Sequence, residues 1–238
     1  MEIGEWAMGD VGAPRRVTTH GVTVTSHIAD PASLIPRSLG LVPYAVAYED
    51  MRRFTLTRSA STPDELWLLE HPPVYTVGQA GRLEHLLRET AIPVARVDRG
   101  GQITFHGPGQ LVAYVLLDLR RRGLTVRRLV AALEQAVIDL LAGYRIAGAR
   151  RPGAPGVYVA GAKIAALGLR VRNGCSYHGL ALNVAMDLAP FRDIDPCGYE
   201  GLQVTQLADL GVEAPASDVA DLLAARVDAA LRADGPKA

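Results

Sequence analysis

Apolar residues recur along this chain at two spacings. Between Pro43 and Arg58 they fall at Ala47, Tyr48, Met51 and Phe54, the three-and-four step of an amphipathic helix. The same step sets Leu129, Leu133, Val137, Leu140 and Tyr144 on one face of a second helix, with Thr125 as its N-cap and Gly143 as its C-cap. A third helix runs from Ser217 to about Ala233 on a stripe of Val219, Leu222, Leu223, Val227 and Leu231. Elsewhere the apolar residues come as short runs between Gly and Pro: Glu65 to Leu69, Val74 to Val77, Val94 to Val97, Gln102 to Phe105, Leu111 to Leu119, Gly156 to Val159, Ala162 to Val171 and Gly179 to Val184. Each reads as a strand. Helices at both ends and in the middle, with hairpin-like strands between, predict an α+β fold: a mixed or antiparallel sheet covered by helices. Residues 1–38 are rich in Gly, Pro, Thr and Ser and lack a period, so they read as a loosely ordered leader with a short strand at Val22 to Val24. Residues 39–238 read as a single domain.

Composition narrows the function classes. The chain is 49% apolar and 21% charged, a soluble globular balance, and its 25 basic residues cancel its 25 acidic ones. No global field draws it to nucleic acid or to an anionic membrane. No apolar run approaches the roughly 18 residues of a membrane span. The start carries Glu2, Glu5 and Asp10 in place of the basic residues of a signal peptide. The expectation is a cytoplasmic protein whose two cysteines, Cys175 and Cys197, stay reduced. The cations are almost all arginine, and the only lysines are Lys163 and Lys237. Lys163 sits among small apolar residues, Ala160 to Leu169, where a lysine needs a reason.

Three segments carry chemistry. Arg99 to Gln110 packs Gly100, Gly101, Gly107 and Gly109 with Arg99 and His106 between two apolar strands. Such a stretch is either a tight hairpin with a bulge or a place where backbone approaches a ligand. Its spacing fits neither a P-loop nor a dinucleotide fingerprint. Cys197 follows Pro196 and precedes Gly198, an accessible loop setting for a nucleophile, though a lone cysteine also serves as a small hydrophobe, the reading kept for Cys175. A thiol of pKa ~8.5 is only a few per cent thiolate at neutral pH, so a nucleophilic Cys197 needs a base or cation nearby. A buried Lys163 would exchange protons with it, as arginine could not, whereas a lysine that snorkels to solvent would not. His106 and His178 are the other titratable candidates. His71 precedes two prolines, and His20, His27 and His85 stand in unremarkable contexts. No His or Cys pair has zinc spacing, so no metal is expected.

Four blocks together resemble a known family. Glu70 to Gly78, Arg99 to Gln110 followed by Tyr114, Gly161-Ala-Lys-Ile-Ala165 with Gly168, and Pro196-Cys-Gly198 are similar, in order, to signatures of the lipoate-pathway octanoyltransferases. The resemblance spans roughly residues 40 to 210 and implies a fold similar to the catalytic domain of biotin protein ligases and lipoate ligases. It implies that Cys197 carries an acyl thioester and that Lys163 tunes it. It also implies that substrate is contacted by Arg99, Gly100, Gly101, Gln102, Ile103, Thr104, Phe105 and His106, by Ala166, Leu167 and Gly168, and by Gly179, Leu180 and Ala181. Asp195 stands where the family more often has Asn. The implied reaction moves octanoyl from octanoyl-acyl carrier protein to a lysine of lipoyl domains. Those acceptors belong to 2-oxoacid dehydrogenase complexes and the glycine cleavage H protein. No ATP, metal or other cofactor is implied, since the donor carries its own phosphopantetheine.

Overall fold

The computed structural model describes residues 34–195 and 202–233. The strand expected at Val22 to Val24 and the cysteine at 197 lie outside the described residues. In chain order the strands are β1 (Leu34–Leu41), β2 (Asp64–Glu70), β3 (Val74–Val77), β4 (Val94–Arg96), β5 (Ile103–His106), β6 (Gln110–Leu116), β7 (Ala149–Arg150), β8 (Gly156–Val159), β9 (Ala162–Arg172) and β10 (Cys175–Asn183). The helices are α1 (Tyr44–Thr57), α2 (Val126–Gly143) and α3 (Ala216–Ala233). A seven-stranded sheet runs β1-β2-β6-β10-β9-β8-β7, and a three-stranded sheet runs β4-β3-β5. β1 pairs parallel to β2 and β4 parallel to β3, and the other pairings are antiparallel. The fold is α+β with a mixed sheet.

β6 shows why the large sheet is covered on both faces. All of its residues are buried, and they alternate between two apolar clusters. Leu111, Ala113 and Val115 join the layer beneath α2 and α3, while Val112, Tyr114 and Leu116 face Ala47 and Met51 of α1. Strands buried on both faces need covering layers on both, as here. The α2 stripe of Leu129, Leu133, Val137 and Leu140 is fully buried, and each such side chain contributes roughly 1.5–3 kcal/mol. Thr125 caps α2, accepting from the Arg128 amide at 3.3 Å.

Several boundaries differ from the residue pattern. β1 takes in residues 34–38, which that pattern assigns to the leader; it is an exposed edge strand with no buried stripe to announce it. Gly143 is still helical and has open space where a Cβ would stand. The left-handed residue lies two positions later, at Arg145 with φ 62°. β10 begins at Cys175, four residues before Gly179. It is joined to β9 by Asn173-Gly174, both with positive φ, as the tightest right-twisted hairpins require.

Candidate active site

The face of the large sheet that bears Val112 and Tyr114, the small sheet and the first turn of α1 surround a cavity of about 790 Å³, part of it open to solvent. Most of the residues implied to hold substrate meet there. Arg99, Gly101, Gln102, Ile103, Thr104 and His106 form one wall, and Ala166, Leu167 and Gly168 with Gly179, Leu180 and Ala181 form the floor. Gly100 and Phe105 are not among the lining residues. The Phe105 ring instead packs in a tilted contact with Tyr75 and edge-on to Phe191, with ring centres 5.4 and 5.6 Å apart. The Gly100 amide is spent on the Leu169 carbonyl at 2.9 Å.

Two floor glycines are required by backbone packing. A Cβ at Gly168 would stand 2.8 Å from the Gly100 carbonyl oxygen, and one at Gly179 would stand 2.0 Å from that of Ala113. Glycine at 168 therefore lets the Arg99–Gly101 segment rest directly on β9.

Polar side chains form a continuous run along the wall. Arg99, buried, donates through Nη2 to the Thr76 carbonyl at 2.7 Å and to Thr76 Oγ1 at 2.8 Å, and also to the Gln102 carbonyl at 2.8 Å. Thr76 Oγ1 lies 3.2 Å from His106 Nε2, and His106 Nδ1 lies 2.7 Å from Gln110 Oε1. Gln110 Nε2 donates to Asn183 Oδ1 at 3.0 Å, and Asn183 Nδ2 to the Thr205 carbonyl at 3.0 Å. The Thr205 amide donates to the Lys163 carbonyl at 3.0 Å. One polarity satisfies the run: the Thr76 hydroxyl donates to Nε2 and the Nδ1 proton goes to Gln110, which requires a neutral imidazole. Burial, reinforced by His71 and Arg99, pushes the His106 pKa down to about 3.

His71 is a second buried imidazole, 5.8 Å from His106 between ring centres. Its Nδ1 donates to the Val42 carbonyl and its Nε2 accepts from the Tyr114 hydroxyl, both at 2.6 Å. Burial lowers its pKa to about 4. Tyr44 packs edge-on to His71 at 5.1 Å and stacks on His106 at 6.0 Å.

At the rim, Asp98 gathers His178, Tyr177 and Tyr48. His178 Nε2 lies 3.2 Å from Asp98 Oδ1, and the Tyr177 hydroxyl donates to Oδ2. Burial opposes ionisation of Asp98, but hydrogen bonds from His178, Tyr177 and Tyr48 outweigh it and hold the carboxyl well below its usual range. His178 lines the cavity and carries a positive φ, 59°, inside a strand. A non-glycine residue there stores strain that its surroundings must hold in place.

Lys163 is 4% exposed and lines the cavity. Its Nζ lies 3.4 Å from the Pro155 carbonyl oxygen and 5.3 Å from the centre of the Tyr158 ring. Gly156, at φ 142°, leaves space for it: a Cβ there would come within 3.1 Å of Lys163 Cε. The Lys163 amide donates to the Gln203 carbonyl at 2.8 Å, so the chain after position 201 returns onto the lysine's own backbone. On the other side, the Asp195 amide donates to the His85 carbonyl at 2.9 Å. Cys175 is buried beside Arg58 and Asp118 at the far end of the sheet, and burial pushes its thiol pKa up. Among the described residues no three His, Cys, Asp or Glu side chains converge as a metal's ligands would.

The residue pattern passed over Tyr44, His71, Asp98 and Asn183. Each acts through a partner distant in sequence, and only His71, beside Pro72 and Pro73 in the Glu70–Gly78 block, had a local signal.

Residues 43–228 match the family described as the lipoyl protein ligase A/B catalytic domain. An octanoyltransferase of Aromatoleum aromaticum is 64% identical over 194 residues, covering 82% of this chain and 83% of that protein. Two solved structures share the fold. Lipoate-protein ligase A bound with ATP superimposes with a TM-score of 0.67 at 15% identity, over 84% of this chain and 85% of its own. Biotin protein ligase from Aquifex aeolicus in complex with biotin and ATP does so with a TM-score of 0.53 at 13% identity, over 86% and 72%.

Proposed function

The chain belongs to the lipoyl protein ligase A/B catalytic domain family, and on that premise we propose that it is an octanoyltransferase of protein lipoylation that works through a Cys197 thioester. The observation that carries this reading is Lys163. It is a buried lysine in the wall of a largely apolar cavity, with its backbone bonded to the segment that follows Cys197 six residues later.

In the proposed cycle the donor is octanoyl-acyl carrier protein, and its acyl chain occupies the cavity. Lys163 accepts the Cys197 proton, and the thiolate attacks the thioester carbonyl carbon. The bond to Cys197 sulfur forms, the bond to the carrier's sulfur breaks, and the departing thiolate takes the proton back from Lys163. The amine of a lipoyl-domain lysine then attacks the acyl-enzyme. An amide forms, the Cys197 C–S bond breaks, and the amine's proton passes through Lys163 to the sulfur. We assign support of the oxyanion to backbone amides near Gly168 or Gly179. One thioester is exchanged for another and then for an amide, which is downhill, so the cycle uses no ATP, metal or other cofactor. Arg99, Gly101 to Thr104, His106, Ala166 to Gly168 and Gly179 to Ala181 are assigned to substrate contact, since they line the cavity. The acceptors are lipoyl domains of 2-oxoacid dehydrogenase complexes and the glycine cleavage H protein. No helix among the described residues is long and apolar enough to cross a membrane; we assign the reaction to the cytoplasm.

The test is intact-protein mass spectrometry after mixing the enzyme with octanoyl-acyl carrier protein, without ATP. A hydroxylamine-sensitive octanoyl adduct on the wild type, absent from Cys197→Ser, is the expected result. No adduct, with ATP-dependent transfer surviving in Cys197→Ser, would replace this reading with an adenylating ligase.

A further inference from the structure

Tyr44 opens α1 and lines the cavity, yet its hydroxyl, buried from solvent, has no hydrogen-bond partner. The two imidazoles that pack on its ring are engaged elsewhere. His71 uses Nδ1 on Val42 and Nε2 on Tyr114, and the Tyr114 proton is committed to His71. His106 uses its two nitrogens on Thr76 and Gln110. The phenol therefore cannot be satisfied by a small rotation onto an adjacent imidazole. A buried hydroxyl without a partner destabilises a fold, and a phenylalanine of the same shape would not. An unpaired donor in a cavity wall is explained when the ligand brings the acceptor.

Valine, isoleucine, leucine and alanine make up much of the remaining lining, at Val112, Ile164, Leu167, Leu180 and Ala181. These suit a hydrocarbon chain, which offers no hydrogen-bonding atom until its carbonyl. We propose that the Tyr44 hydroxyl donates a hydrogen bond to the carbonyl oxygen of the acyl group bound in this cavity. The proposal rests on the acyl-transfer reading and adds a substrate-contacting residue to it. Burial raises the Tyr44 pKa, so the phenol keeps its proton across the working pH range. The same hydrogen bond strengthens as charge develops on that oxygen during attack at the carbonyl carbon.

The test uses Cys197→Ser protein, which cannot be acylated on sulfur, and S-octanoyl-N-acetylcysteamine, a soluble octanoyl thioester, as the probe. Binding is measured by titration calorimetry and unfolding by a thermal scan. Adding Tyr44→Phe should leave the ligand-free unfolding temperature unchanged or raise it, while weakening binding about tenfold. Thr55→Val is the comparison, because Thr55 also buries a hydroxyl without a partner but does not line the cavity. It should match Tyr44→Phe in stability and leave affinity unchanged. With Cys197 present, Tyr44→Phe should slow adduct formation at least tenfold. Affinity within twofold of the parent, with an unchanged adduct rate, would overturn the role of Tyr44 and leave the octanoyltransferase reading standing. Failure of the parent to bind the thioester would sink both.

Discussion

Gln110 and Asn183 stand opposite each other on β6 and β10, and the amide of one donates to the carbonyl oxygen of the other at 3.0 Å. The pair joins the two halves of the cavity. Through Gln110 it holds His106 and the glycine-rich wall; through Asn183 it holds Thr205, whose amide is bonded to Lys163. Gln110→Leu would strand the His106 Nδ1 proton and Asn183 Oδ1 together, at ~1–3 kcal/mol for each group left unpaired. The expected loss in urea unfolding is ~2–6 kcal/mol. Adding Asn183→Leu should cost less than the sum of the single changes, because the two act in one network. A loss below ~1 kcal/mol for Gln110→Leu would show that the run is not coupled.

The buried imidazoles make stability depend on pH. In the unfolded chain each takes up its proton near pH 6.5, whereas folded His71 does so only at about 4 and His106 at about 3. Between these values the unfolded state holds more protons, so stability rises with pH there and is complete above about 6.5. Burial lowers the His178 pKa as well, against the pull of Asp98, and adds in the same direction. Acidifying from pH 7.5 to 5 should remove on the order of 2 kcal/mol for each of His71 and His106, read from the urea midpoint. His71→Gln should flatten that slope. An unchanged slope would mean that His71 is not held neutral.

The helices were legible because their buried stripes repeat along the chain: Leu129, Leu133, Val137 and Leu140 lie in sequence at the spacing at which they pack. β6 was legible as a continuous apolar run. β1 was not, because an exposed edge strand carries no alternation, and its partner β2 lies across a helix in sequence. β10 was cut short although Asn173-Gly174 announced the hairpin. The glycine-rich segment contains a turn, Gly107–Gly109, flanked by β5 and β6, and Arg99, Gly101, Gln102, Ile103, Thr104 and His106 line the cavity beside it. Phe105 belongs to the contiguous motif but not to the cavity lining, because a strand sends successive side chains to opposite sides. The polar residues left out share a cause. Tyr177 and Asp98 are 79 residues apart, and His71 and Tyr114 are 43 apart. No local pattern encodes such pairs.

Asp98 is the acceptor that holds the strained His178. Asp98→Asn keeps the size but removes the charge that His178, Tyr177 and Tyr48 converge on, and one oxygen must be replaced by a donor. The expected cost is ~1–3 kcal/mol in urea unfolding. His178→Asn, which tolerates left-handed backbone, should retain more stability than His178→Val, whose branched side chain does not. If the valine variant is as stable as the asparagine one, the positive φ at 178 is not maintained in solution.

The end of β6 opposite Gln110 is tied down by a different device. The Asp64 carboxylate, fully buried, accepts from Arg58 and Arg121 at 2.6 Å each, from Arg122, and from the Asp118 amide at 2.8 Å. Three guanidinium groups on one buried carboxylate make its charge indispensable: Asp64→Asn leaves them facing one another with one acceptor oxygen in place of two. Breaking a buried ion pair by removing one partner typically costs ~3–5 kcal/mol. The exposed pair Arg53–Asp50 offers the contrast, since its charges are solvated and Asp50→Asn should change stability by less than ~0.5 kcal/mol. Because Asp64 stands outside the cavity lining, Asp64→Asn should lower the unfolding temperature while leaving the rate of octanoyl adduct formation unchanged at temperatures where the variant is folded. A variant of normal stability would show that the arginines find other partners. A stable but inactive one would show that the cluster acts on the cavity through β6, a coupling that the alternation of β6 between two apolar layers gives no reason to expect.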